Sequence, residues 1–190
     1  DINNEPRKEH VGTIPLVGGI GLFISLIYGA LVFGVDSFYL FLLGSLLPIM
    51  IVGIIDGIQG ISISPIYRVM AQILSSWIVI VSTDIYIQDL GDIFGFGPLV
   101  IGQLGIPFTI FSVVGICNAF NMLDGKDGLL VSVSVVVMSS LLLLLYLNGV
   151  IYQWANIVAL SILVYLAFNL SLFGKERRIF LGDHGSTGLG

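Results

Sequence analysis

Long apolar stretches alternate with short polar segments along the whole chain. Each stretch has roughly 17 to 25 residues, which at about 1.5 Å per residue is enough to cross a hydrocarbon core about 30 Å thick. The pattern therefore predicts an all-α, polytopic transmembrane bundle located in the cell membrane. The six predicted spans are 16–33, 38–55, 69–87, 100–120, 129–147 and 152–173.

The composition excludes an ordinary water-soluble globule, because 56% of the 190 residues are hydrophobic and only 10% are charged. No internal repeat or soluble module interrupts the pattern, so residues 1–190 are predicted to form a single membrane-embedded domain. The chain begins at Asp1 without a methionine, and Gly185-Ser186-Thr187 near its end resembles a helix start. We therefore expect a piece of a longer protein that lacks an N-terminal helix and C-terminal helices.

Charge is distributed very unevenly between the two sides of the predicted spans. All the basic residues fall on one side, and the alternate loops carry acids without any Lys or Arg. The positive-inside rule therefore predicts that 1–15, 56–68, 118–128 and 174–190 lie in the cytoplasm, with a small hairpin at 86–95 outside. The basic residues are Arg7, Lys8, Arg68, Lys126, Lys175, Arg177 and Arg178.

Four carboxylates at the predicted cytoplasmic boundary are the candidate catalytic groups: Asp56, Asp124, Asp127 and Asp183. Acids at the edge of a hydrocarbon layer are costly to place there and therefore suggest function. Gathered carboxylates repel one another unless a cation lies between them, and Mg²⁺ commonly bridges one or two carboxylates to substrate phosphates. The cluster therefore predicts a Mg²⁺ site, with Mn²⁺ as an alternative, that serves a phosphorylated substrate.

The central polar segment 118–128 separates two apolar runs. Asn118, Asn121 and Asp124 are spaced i, i+3 and i+6, which places them along one stripe of a helix. Asp127 follows in a turn, where it could contact a ligand or cap the next helix. The two Asn side chains could likewise form hydrogen bonds between helices instead of binding substrate.

These motifs resemble the polyprenyl-phosphate N-acetylhexosamine-1-phosphate transferase family over nearly the whole chain. The resemblance depends on the order and spacing of several short motifs. These are Arg7-Lys8-x-His10, Ile14-Pro15-x-x-Gly18-Gly19, Asp56, the segment 118–127 followed by Gly128-Leu129, and Phe180-x-Gly182-Asp183-x-Gly185-Ser186.

The resemblance implies that a polyprenyl phosphate attacks the β-phosphorus of a UDP-N-acetylamino sugar and releases UMP, with Mg²⁺ required. The implied partners are that sugar nucleotide, undecaprenyl or another polyprenyl phosphate, and the bilayer. A nucleic-acid partner is not expected, and a homodimer is left open. The amino-acid sequences of 86–95 and of Asn118-Ala119-Phe120-Asn121-Met122 favour the branch that uses UDP-N-acetylglucosamine over the muramyl-pentapeptide branch.

By the same resemblance, each matching position has an implied role. Asp183 and Asn121 would hold the metal, and Asp56 would deprotonate or hold the lipid phosphate. The remaining residues would bind substrate: Asn121 and Asp124 at the pyrophosphate, Asp127 and Phe180 at the uracil, Lys8 and His10 at phosphate, and Asn118 and Asn169 near the same site.

One position departs from the family pattern. The family has paired acids where this chain has Asp56-Gly57, so one carboxylate is missing. Two other interpretations stay open. One, suggested by the missing acid, is a homologue with weakened catalysis that is retained for lipid binding. The other is a transporter in which the acids line a path, although transporters place such groups near the bilayer midplane and often contain inverted repeats.

Overall fold

The computed structural model describes residues 17–57, 63–124 and 128–190, and within these ranges the chain is helical with connecting loops. Lys8, His10 and Asp127 lie outside the described residues. The α-helices are α1 (Gly18–Phe33), α2 (Ser37–Asp56), α3 (Pro65–Thr83), α4 (Gly105–Leu123), α5 (Leu129–Leu147), α6 (Gln153–Asn169) and α7 (Asp183–Leu189). Short 3₁₀ turns cover Gly102–Leu104 and Lys175–Arg177.

The helices confirm the predicted membrane bundle. By length and hydropathy, four helical segments could cross a bilayer: Ser37–Asp56, Pro65–Thr83, Gly102–Leu123 and Leu129–Leu147. The helices α1 and α6 are apolar but shorter. Each of the six predicted spans thus corresponds to one apolar helix.

Several predicted boundaries were wrong by a few residues. The third span, predicted at 69–87, begins at Pro65, which suits a first helical turn, and ends at Thr83 because Asp84 takes a left-handed conformation. The fourth span, predicted from 100, begins as an α-helix only at Gly105. The sixth was predicted to reach 173 but ends at Asn169, and Ser171 has a positive φ of 60°.

The short helix α7 lies inside the bundle, in contact with α1, α2 and α4. Around it, α2 packs on α3, α3 on α4, and α5 and α1 on α6. A buried apolar cluster joins α1, α5 and α6 to the segment that precedes α7, and its members are Leu22, Leu130, Val131, Ile162, Tyr165 and Leu181. Because many other large apolar side chains are exposed, the outer surface of the bundle suits lipid.

Glycines allow the segment that leads into α7 to touch α1 backbone to backbone. The Gly18 N–H donates to the Phe180 carbonyl and the Gly19 N–H to the Leu181 carbonyl, each at 2.9 Å. A Cβ added at Gly19 would lie 2.5 Å from the Gly185 Cα, which real Cβ atoms do not approach. The Gly18-Gly19 pair therefore permits a close backbone approach that fixes the position of α7.

Candidate active site

An arginine joins two of the predicted carboxylates. Asp56 is the last residue of α2, Asp183 is the first of α7, and Arg68 lies in the first turn of α3. One terminal nitrogen of Arg68 pairs with Asp56 Oδ2, and the other lies 3.1 Å from Asp183 Oδ2. Two acids that are far apart in the chain therefore share one cation.

The two carboxylates differ in their access to solvent. The Asp56 side chain is only 10% exposed, and its Oδ1 also accepts the Ile63 N–H at 2.9 Å. The Asp183 side chain is 50% exposed. Asp56 is thus held in place by the protein, while Asp183 can still reach a ligand that arrives from the aqueous side.

The stripe of amides predicted on α4 faces α3 and α7. Asn118 Nδ2 donates to Gln72 Oε1 at 2.9 Å and to the Val114 carbonyl at 2.8 Å. Asn121 Oδ1 accepts a hydrogen bond from Ser186 Oγ at 2.9 Å. Asn118 therefore links two helices, as the alternative interpretation of the Asn pair proposed, while Asn121 is placed beside the helix that carries Asp183.

Asp124 and Gly128 are the described residues on either side of 125–127. Asp124 comes directly after α4 at its C-cap position and lies close enough to Tyr165 for an electrostatic interaction. The N-cap of α5 is Gly128, which has a positive φ of 74°. A Cβ at Gly128 would meet the Leu170 side chain, so Gly128 packs against the end of α6.

Asn169 supports the segment that carries Phe180. Its buried Nδ2 donates to the Ile179 carbonyl at 3.1 Å and to the Tyr165 hydroxyl at 3.2 Å. Its own carbonyl accepts Arg178 Nε at 3.1 Å, and the Arg178 guanidinium lies 5.2 Å from the centre of the Phe180 ring. The contacts of Asn169 therefore fix the backbone beside Phe180, and a cation lies over one face of that ring.

His184 packs in the protein interior beside Asp183. A Cβ added at Gly53 of α2 would lie 2.6 Å from the His184 Cα, so α2 and α7 are in close contact here. Burial lowers the pKa of His184, and the negative charge of Asp183 opposes this shift. The imidazole is therefore neutral at pH 7 and adds no charge to the Asp56–Arg68–Asp183 cluster.

Sequence reasoning missed two residues of this region. The sequence pattern marks Arg68 only as one of the basic residues on a single side of the membrane, and it does not single out Gln72. Gln72 is almost fully buried and lies one helical turn after Arg68, so one face of α3 contacts both Asp56 and Asn118. A polar face on an otherwise apolar span is the signal that could have found them.

The donor set is compatible with a divalent cation held by two carboxylates. Within the described ranges, no three His, Cys, Asp or Glu residues are grouped so that they could hold a metal. Asp56 and Asp183 nevertheless lie close together, because both carboxylates pair with Arg68. Since Mg²⁺ typically takes one or two carboxylates and completes its shell with water and phosphate oxygens, two acids are sufficient.

Arg68 is expected to stabilise the bundle through its two ion pairs. Removing one partner of a buried pair costs about 3–5 kcal/mol, and the partial exposure of Arg68 and Asp183 reduces this to about 1–3 kcal/mol for Arg68→Ala. Thermal unfolding of the full-length protein in detergent measures the loss. The control is Arg177→Ala, an exposed position on the same side. Equal stability of the two variants would contradict this role.

Fold and site together define a polytopic helical membrane protein with carboxylates and amides gathered at one end of its helices. The chain belongs to glycosyl transferase family 4, to which residues 38–190 match. The family resemblance seen in the sequence motifs is thereby confirmed.

Three curated relatives carry the same name, undecaprenyl-phosphate alpha-N-acetylglucosaminyl 1-phosphate transferase. The protein from Yersinia pestis is 36% identical over 188 residues, and the one from Escherichia coli (strain K12) is 33% identical over 190 residues. That of Haemophilus influenzae is 37% identical over 191 residues. Each match covers 97% of this chain, and the chain spans about half the length of these relatives, at 51%, 50% and 52% respectively.

Proposed function

We propose that the full-length protein containing this chain transfers N-acetylglucosamine 1-phosphate from UDP-N-acetylglucosamine to undecaprenyl phosphate and releases UMP. Such a reaction would begin the synthesis of a lipid-linked cell-envelope polysaccharide. The main support is that Asp56 and Asp183 both pair with Arg68 at one end of the bundle, close to Asn121. The names of the curated relatives support the choice of sugar and lipid.

In this reaction an oxygen of the lipid phosphate attacks the β-phosphorus of the sugar nucleotide. The bond between that phosphorus and the bridging oxygen breaks, and UMP leaves with the electron pair. Asp56 would orient the lipid phosphate and accept its proton, and this role is supported by the Ile63 N–H and Arg68, which hold the carboxylate in place. Asp183 is the more exposed acid and would face the incoming nucleotide.

The proposed cofactor is Mg²⁺, with Mn²⁺ as an alternative, and it would be held by Asp183 with Asp56 and Asn121 nearby. When bound, such an ion neutralises the negative charge that develops on the pyrophosphate. Asn121 Oδ1 has a second lone pair besides the one used by Ser186, so its hydrogen bond does not exclude ligation.

The remaining substrate contacts are proposed from the family resemblance. Phe180 would stack on the uracil and Asp127 would hydrogen-bond it, with Asp124 near the pyrophosphate and Lys8 and His10 at phosphate. The Arg178 guanidinium lies 5.2 Å from the centre of the Phe180 ring. We also propose that this end of the bundle faces the cytoplasm, since the sequence pattern predicts all the basic residues on that side.

A second candidate function rests on Gly57. The full-length protein could bind polyprenyl phosphate with little turnover, because a second acid is missing after Asp56. Among the described residues nothing crowds position 57, since the nearest atoms to an added Cβ are the carbonyl oxygens of Gly53 and Ile54 at 3.5 Å. A transporter is less well supported, because the acids lie at helix ends and not at mid-span.

The test is an assay of the purified full-length protein with undecaprenyl phosphate and UDP-N-acetylglucosamine. We expect UMP release that stops when Mg²⁺ is chelated and returns when Mg²⁺ is added. The Gly57→Asp variant is assayed in parallel, and a similar rate would show that the native site needs no second acid. If the native protein binds the lipid but releases no UMP, while Gly57→Asp restores turnover, the lipid-binding function is correct.

A further inference from the structure

The loop between α3 and α4, residues 84–104, has a defined shape. An antiparallel bridge pairs Asp89 with Val100, and the Leu90 N–H donates to the Leu99 carbonyl at 3.0 Å. At its base, the Ile87 N–H donates to Thr109 Oγ1 of α4 at 2.9 Å. The loop is thus a small hairpin fastened to α4, at the opposite end of the bundle from Asp56 and Asp183.

The acids of this loop are used by its own backbone. Asp89 Oδ1 accepts the Gly91 N–H at 2.8 Å, and Asp92 Oδ1 accepts the Gly97 N–H at 3.1 Å. Both glycines have a positive φ, of 73° and 108°, which suits tight turns. The carboxylates therefore stabilise the turn.

The apolar side chains at the tip, in contrast, point away from the protein. Phe96 is 96% exposed, Phe94 69% and Ile93 60%. Burying an apolar side chain of this size is favourable, so leaving three of them in water is costly. A large exposed apolar tip indicates an interaction surface.

The tip continues an apolar stripe of the neighbouring span. Val100, Leu104, Phe108 and Phe111 are spaced by four, four and three residues, and all four side chains are exposed. Residues three and four apart lie on the same side of a helix, so Phe108 and Phe111 of α4 lie on one face with Leu104, which ends the 3₁₀ turn just before α4. Because α4 is long and apolar enough to cross a bilayer, this face suits lipid, and the stripe leads from it into the hairpin.

Lipid explains this surface better than a protein partner does. A stable protein interface buries about 800 Å² on each side, whereas three apolar side chains of about 150–200 Å² each supply less. Aromatic side chains are enriched at the boundary between lipid and water. The loop contains Asp84, Asp89 and Asp92 and no Lys or Arg, so anionic head groups would not attract it.

We propose that Ile93, Phe94 and Phe96 insert into the interfacial layer of the bilayer next to α4. The contact is apolar and needs no particular head group. The hairpin thereby fixes the depth of the ends of α3 and α4 in the membrane. This inference is independent of the catalytic site and of which side faces the cytoplasm.

Spin labelling of the full-length protein in phosphatidylcholine vesicles tests the insertion. Cys117, which is buried, and any cysteine outside residues 1–190 are replaced by Ala, and a single nitroxide is placed at position 96, 111 or 88. We expect the label at 96 to be relaxed strongly by oxygen and weakly by a water-soluble nickel chelate, as at the lipid-facing control position 111. The label at the exposed polar position 88 should show the reverse.

Two results would overturn the proposal. Strong relaxation by the nickel chelate at 96 would show that the tip lies in water, and protection from both reagents would show that protein covers it. As an independent measurement, the fluorescence of Phe96→Trp should be quenched by brominated phosphatidylcholine, in a background where Trp77, Trp154 and any tryptophan outside residues 1–190 are replaced by Phe. Quenching should be equal in neutral and anionic vesicles, and quenching that requires anionic lipid would contradict an apolar contact.

Discussion

The Asp183→Asn variant of the full-length protein is expected to release UMP about 10²- to 10³-fold more slowly than the native protein, the usual effect of removing one electrostatic group at a reacting centre. Asn keeps the shape of the side chain but removes the charge that Asp183 shares with Arg68 and would present to Mg²⁺. The rate is measured over a range of Mg²⁺ concentrations. If Asp183 holds the metal, the Mg²⁺ concentration for half-maximal rate also rises.

The matched control is Asp89→Asn in the hairpin at the opposite end of the bundle. Its Oδ1 accepts the Gly91 N–H, and an Asn oxygen can accept the same hydrogen bond. We expect this variant to keep the native rate and the native Mg²⁺ dependence. The proposed metal site would be refuted if Asp183→Asn had the native rate and the same unfolding temperature as the native protein.

The Gly19→Ala variant is expected to destabilise the full-length protein by about 1–3 kcal/mol, the usual cost of overpacking, because the added methyl group meets backbone that cannot rotate away. The Cβ would lie 2.5 Å from the Gly185 Cα and 2.6 Å from Cδ2 of His184. Relief requires α1 and α7 to separate, which moves Asp183 away from Arg68. Thermal unfolding in detergent measures the loss of stability, and UMP release should fall with it.

Gly21→Ala is the control for this variant, two residues further along the same helix. Nothing lies within 4 Å of a Cβ at Gly21, and Ala is the better helix former by about 1 kcal/mol. We expect this variant to be at least as stable as the native protein. Equal stability of Gly19→Ala and Gly21→Ala would mean that α1 and α7 are not in backbone contact.

Hydropathy was sufficient to predict the six apolar helices, because the length of an apolar run is a local property of the chain. It failed at the ends of α3 and α4, where 85–87 and 100–104 are predicted as parts of spans but belong to the connecting loop. Ile85, Ile87 and Val100 were assigned to spans on composition alone. The left-handed conformation of Asp84 and the packing of Gly105 against Ile87 decide those boundaries, and neither is visible in hydropathy.

The site was predicted in part. Asp56 and Asp183 stood out because each interrupts an apolar or glycine-rich segment, and the structure brings them together. Arg68 and Gln72 did not stand out, because their importance depends on which helices pack against α3. The part that Asn169 plays in holding the backbone at Ile179 likewise depends on tertiary contacts, which spacing along the chain does not encode.

The position of α7 also has a consequence for the order in which the site is assembled during synthesis. Asp56 and Arg68 are close in sequence and can pair as soon as α2 and α3 form a hairpin, so the least exposed acid is compensated early. Asp183, Ser186 and the backbone contacts to Gly18 and Gly19 come from α7 and the segment just before it, which are synthesised after α1 to α6. The insertion of α7 between α1, α2 and α4 therefore brings Asp183 to an Asp56–Arg68 pair that has already formed.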